Sequence, residues 1–147
     1  MILQILAAIL FANLNEWIAH RYILHGLGKR KTNFFYFHWK HHKTARKNLG
    51  YDHDYEKLLP LSREAWSLLL LFIVYLPFIY IYPVFVGTLA LYAVVYFFVH
   101  RYAHLNVAWG EKWIPWHFDH HLGKDQDKNW CVLFPLWDYV FGTRQKR

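Results

Sequence analysis

Residues 65–99 read AWSLLLLFIVYLPFIYIYPVFVGTLALYAVVYFFV, 35 residues without one Asp, Glu, Lys, Arg or His. As a single α-helix this run would be ~52 Å long at about 1.5 Å per residue. A bilayer's hydrocarbon core is only ~30 Å thick. The run is therefore too long for one crossing, and Pro77, Pro83 and Gly87 offer a break near its middle. It reads as a helical hairpin, residues 62–82 and 83–104, with its tip near YIYPVFVG. Working outward, residues 2–19 form a further apolar stretch just long enough to cross, although Gln4, Asn13, Asn15 and Glu16 make it the weakest span. No basic residue precedes that stretch, which argues against a cleaved signal peptide.

Three spans fix a topology. If the first helix runs inward, residues 26–61 and the segment from Leu105 onward share one side, and the hairpin goes out and returns. All 17 Lys and Arg residues fall at Arg21, within 29–63, or from Arg101 onward. That distribution matches the positive-inside bias and places both segments on the cytoplasmic face. The 147 residues carry a formal charge of +7, yet the basic residues lie on no recognisable reading helix, so the partner they imply is a membrane surface and not nucleic acid. A single cysteine, Cys131, excludes an internal disulfide. The length suits one domain, 1–147.

The chain holds 11 histidines, and ten of them fall in four groups. HRYILH carries His20 and His25. FHWKHH carries His38, His41 and His42. HRYAH carries His100 and His104. WHFDHH carries His117, His120 and His121. The topology puts all four at one membrane face. On a helix, residues four apart are ~40° apart and residues three apart ~60° the other way, so His100 and His104 share a face. His41 and His42 diverge by about 100°, so a triplet can serve two neighbouring ions. His20 and His25, at i and i+5, are ~140° apart on a regular helix, which requires a distorted or ended helix, or one ion gripped from two sides. Ten imidazoles exceed one tetrahedral site and suit two ions with about five nitrogens each. Imidazole accepts iron, copper, nickel or zinc. Glu16 and Asp119 are expected to orient imidazole N–H groups rather than bind metal. His53, between Asp52 and Asp54, reads as a loop residue. The fold expected is thus an all-α integral membrane helical bundle of about three spans, with a cytosolic histidine-rich helical cap holding a dinuclear metal site.

These motifs, in this order and followed by LWDYVFGT after the last box, resemble the fatty acid hydroxylase / sterol desaturase superfamily over residues 16–143. The HxxxH third box and the WDYVFGT tail are most similar to the fatty acid 2-hydroxylase branch, while HRYILHG is also similar to bacterial carotenoid hydroxylases. The resemblance implies two iron ions held by the ten boxed histidines, with zinc possible in purified protein, and O2-dependent attack on an unactivated C–H bond of a lipid drawn from the bilayer. It also implies a membrane anchor reduced from the four spans of several members. The chain carries no haem motif, so electrons would come from a separate cytochrome b5-like or ferredoxin-like donor. Asp138, in the tail, is a candidate acceptor for a ligand imidazole. Desaturation, or carotenoid or sterol hydroxylation, is the alternative within the superfamily. A non-catalytic membrane metal-binding protein or zinc-stapled anchor is the alternative outside it. Ion transport is disfavoured, because the 65–99 hairpin has no charged residue inside it.

Overall fold

The computed structural model describes residues 1–57 and 62–147; Leu61, the expected end of the segment between the first two spans, lies outside the described residues. Among the described residues all regular structure is helical. Helix α1 (Ile2–Ile18) runs on through a π-helical stretch, Ala19–Gly26, and a 3-10 turn, Leu27–Lys29, as one helix of 28 residues. Helix α2 (Phe37–Lys47) follows a short 3-10 turn, and α3 is Arg63–Ile73. Helix α4 (Pro83–Leu105) has 23 residues, and α5 (Val107–Trp113), α6 (Pro115–Leu122) and α7 (Leu136–Val140) complete the chain.

The α1 helix with its extension and α4 are the two helices long and apolar enough to cross a bilayer. They pack together through Ala8, Ala12 and Leu89, where small side chains on α1 let the backbones approach. Their outer faces stay apolar and uncovered, with Leu3, Leu6 and Leu10 on α1 and Leu91, Val94 and Phe98 on α4 all exposed. Only 28% and 22% of the two apolar windows are buried. Contiguous apolar surface on that scale marks contact with lipid, and membrane association follows.

The middle arm of the expected hairpin departs from the sequence reading. Ser62 Oγ accepts from the Ala65 N–H at 3.1 Å and starts α3, but the helix has only 11 residues, about 16 Å, too short to cross. It stops at Ile73, the residue whose carbonyl Pro77 would have bonded had Pro77 possessed an N–H. The chain turns at residues 74 and 75 and continues as a 3-10 helix, Leu76–Tyr80. The expected three full spans thus become two long helices and one broken arm packed beside α4. Hydropathy counted the apolar residues correctly but carried no information about the missing donor.

The remaining helices gather at the end of the bundle that bears the histidines. Tyr96 and Ala103 of α4, Ile114, Phe118 of α6 and Val132 form the core beneath them. Phe118 is fully buried between two glycines, Gly50 and Gly110. Gly50 has φ +100°, a conformation open to glycine, and a Cβ at either position would collide with the Phe118 ring. Gly110→Ala is expected to lower stability by about 1–3 kcal/mol, the usual cost of forcing volume into a packed site. Gly87→Ala, where a Cβ meets nothing within 4 Å, should leave it unchanged or higher. Thermal unfolding of both variants in detergent checks this, and equal losses would discount the Phe118 clamp.

Candidate metal centre

The π-helical stretch answers the awkward spacing of His20 and His25. Its i→i+5 hydrogen bonds widen the turn, so residues five apart come onto one face. The two rings sit 5.2 Å apart, centroid to centroid. On α4, His100 and His104 lie on one face of a regular helix, 4.9 Å apart. Helices α2 and α6 bring the two triplets between these pairs.

The ten rings form two groups of five. His20, His25, His38, His42 and His120 form one, and His41, His100, His104, His117 and His121 the other. In each group one nitrogen per ring lies within 4.8 Å of all the others, and every ring is buried. Each triplet gives its i, i+4 pair to the nearer group and sends its middle ring across: His41 of α2 joins the α4 pair, and His120 of α6 joins the α1 pair. Two half-sites therefore exchange one ligand each.

Hydrogen bonds at the other ring nitrogen fix how each ring is aimed. His20 Nδ1 donates to the Trp130 carbonyl at 2.5 Å, His120 Nδ1 to the Lys128 carbonyl at 2.6 Å, and His104 Nδ1 to the Gly50 carbonyl at 2.6 Å. His41 Nδ1 faces Asp52 at 2.6 Å, His100 Nδ1 faces Glu64 at 2.7 Å, and His25 Nδ1 faces Asp127 at 3.3 Å. With a proton held at Nδ1, each of these rings presents a lone pair at Nε2. Burial and then the neighbouring imidazoles hold His38, His41, His42, His117, His120 and His121 well below the ordinary histidine range, so they are neutral.

The consequence is electrostatic. His42 Nε2 lies 3.0 Å from His38 Nε2, 3.0 Å from His120 Nε2 and 3.2 Å from His25 Nε2, while His20 and His38 meet at 2.9 Å. There are too few protons for all these contacts to be hydrogen bonds. In the second group His104 and His117 meet at 2.9 Å, and the Nε2 atoms of His41, His100 and His121 find no protein partner. Converging lone pairs in a buried space call for a cation. Two nitrogens about 3.0 Å apart subtend roughly 90° at an ion about 2.1 Å from each, a distance ordinary for imidazole coordination. The residues present fit two metal ions.

The supporting groups differ from those expected. Glu16 orients no imidazole: it accepts from the N–H groups of Val132 and Leu133 and from Tyr92 Oη at 2.6 Å. Asp119 pairs with Arg144 at 2.8 Å and Arg147 at 3.0 Å. Its neighbour His120 projects about 100° away around α6, so adjacency in sequence is separation in space. Asp138 touches no imidazole but accepts from the N–H groups of Trp130 and Cys131 at 2.8 and 2.9 Å, holding the peptide whose carbonyl receives His20. The carboxylates that do meet imidazoles, Asp52, Glu64 and Asp127, were not singled out from sequence. The available signal was Glu64, a carboxylate one residue before a 35-residue uncharged run. His53 is exposed and belongs to neither group.

A slot of about 40 Å3 reaches both groups, lined by His38, His41, His100, Tyr55 and Glu64. It shares Leu24, Ser67, Leu68 and Tyr96 with an apolar cavity of about 310 Å3 between α1, α3 and α4. Against known proteins, the model of the family described as fatty acid hydroxylase matches residues 5–143, which include all ten clustered histidines. No curated protein and no solved structure matches the chain.

Two outcomes test this geometry. Glu64→Gln is expected to weaken metal binding about 10- to 100-fold, as losing a group that orients a ligand usually does, while His53→Ala leaves it unchanged; metal titration of both variants decides. The second concerns pH. Unfolded histidines take up protons near pH 6.5, whereas the six rings named above resist them to much lower pH. Below about 6.5 the unfolded chain therefore binds more protons, so stability falls as pH drops through that region and levels off above it. Unfolding midpoints that rise on acidification would contradict the assignment of neutral imidazoles.

Proposed function

The chain belongs to the fatty acid hydroxylase family, and from that premise we propose that it is a membrane di-iron oxygenase, one that hydroxylates an unactivated C–H bond of a fatty acyl chain or related lipid. The observation that carries the reading is the convergence of ten buried imidazoles on two ion positions, reached by an apolar cavity that opens between the two long helices. Iron bound there supplies O2 activation, chemistry no amino-acid side chain provides. His20, His25, His38, His42 and His120 would hold one ion, and His41, His100, His104, His117 and His121 the other. Asp52, Glu64 and Asp127 keep three of these rings turned inward. Tyr55 donates to Glu64 at 2.9 Å and stands beside His100, holding the carboxylate that aims the His100 ring at the edge of the slot.

The lipid reaches the metals without leaving hydrocarbon, because the cavity lies along the spans. The basic residues gather at the metal end, which supports a cytoplasmic face for the centre. Lys40, Lys43 and Lys47 are exposed on α2, the helix that carries one histidine triplet. They suit an acidic electron donor, a separate cytochrome b5-like or ferredoxin-like protein. Arg46 has another task, donating to the carbonyls of His121 and Gly123 at 3.1 Å each and tying α2 to α6.

Expression in a lipid-producing host, with a His121→Ala control, tests the activity. Extracted lipids heavier by one oxygen atom are the expected result; loss of two hydrogens instead identifies a desaturase. Protein purified without a chelating tag should carry about two iron atoms per chain, as two ions sharing ten ligands require. Tight zinc with no change in lipids would favour a non-catalytic metal-binding protein.

A further inference from the structure

The apolar cavity has a floor. At its end far from the metals a second apolar cavity of about 520 Å3 begins, between the outer ends of α1 and α4 and the Leu76–Tyr80 turn. Among the described residues, Tyr75 is the one that lines both. It sits in the turn left where α3 breaks off. Its hydroxyl donates to Asn15 Oδ1 at 3.0 Å, and its ring packs edge-on against Phe11 at 5.6 Å. The ring is thus tied to α1 from the broken arm, across the passage between the two spaces.

We infer that Tyr75 sets the length of alkyl chain this protein accepts, stopping the methyl end of a straight acyl chain about ten to thirteen carbons below the metal centre. This deepens the proposed function and rests on it for the identity of the ligand as a lipid chain. Two measures bracket that length, at about ten and about thirteen carbons. A cavity of about 310 Å3 holds about ten groups of roughly 30 Å3 each. Along α4 the walls of slot and cavity together run from His100 to Leu89, about 16 Å at ~1.5 Å per residue, room for about thirteen carbons at ~1.2 Å per bond. The orientation is set by polarity. The lining is almost wholly apolar, so a carboxylate or headgroup stays at the basic, histidine-bearing end and the tail points at Tyr75.

The test uses straight-chain saturated fatty acids from roughly eight to roughly twenty carbons, a ladder that brackets the ~ten-carbon cavity. They compete with a fluorescent fatty acid for zinc-loaded protein in detergent, with affinities corrected for partition into the micelle. For the natural sequence, affinity should climb about fourfold per added carbon and then break to a plateau or decline. In Tyr75→Ala, which opens the floor into the second cavity, the break should move to chains longer by about three carbons or more, at roughly 30 Å3 per carbon. Tyr75→Phe keeps the ring and should keep the break. Ala93→Leu, which fills part of the upper cavity from α4, should move it to shorter chains and serves if the Tyr75→Ala protein fails to fold. A break at the same carbon in natural and altered proteins, or none in the natural sequence, overturns the inference. Lipid products in the expression host report separately. A break that moves without oxidised lipid retains Tyr75 as the stop and removes the oxygenase, while oxidised lipid with an unmoved break does the reverse.

Discussion

Repulsion between nitrogen lone pairs governs this molecule. Six imidazoles are turned inward by acceptors at Nδ1, and their Nε2 atoms converge with ring nitrogens of four more in two buried clusters. Without cations that convergence costs energy; with them, each lone pair becomes a bond. Metal binding and the final packing of the cap are therefore a single equilibrium. The surrounding contacts follow from it. Asp138 braces the Trp130 peptide, Gly50 reverses the chain so that its carbonyl meets His104, and Arg46 fastens α2 to α6.

The membrane sets the second boundary condition. Two long helices expose apolar side chains along their length, and the charged residues are pushed to the end where the histidines gather. Glu16 shows how a carboxylate survives inside a span: two backbone N–H groups, Tyr92 and Asn13 all donate to it. It also pins the 132–133 peptides to α1, so a buried polar group within a span serves the loop that positions His20. Helix α3 walls the cavity that reaches the metals against α1 and α4, and its early stop at Ile73 ends that wall near Val74 and Tyr75.

The features legible in the sequence were those governed by local periodicity. The 3.6-residue repeat indicated which members of each histidine triplet would diverge, and the i, i+5 spacing of His20 and His25 announced an irregular helix, which is a π-helix in the structure. Contacts between distant segments were not legible. Asp52 meets His41 eleven residues away and Glu64 meets His100 across 36, pairings set by how α2, α3 and α4 pack. Choosing Glu16 and Asp119 for that work relied on nearness along the chain, which on a helix turns side chains apart. The broken middle arm was missed because Pro77 was read as one of several breaks around a tip near YIYPVFVG, whereas its missing donor ends α3 four residues earlier, at Ile73.

The crossing of His41 and His120 between the two halves has a bearing on assembly. Either half of the polypeptide contributes four rings toward its own ion and depends on the other for the fifth. The first ion captured therefore bolts the halves together and sets the frame for its neighbour. Ions bound there would load together, with singly loaded protein the scarce species.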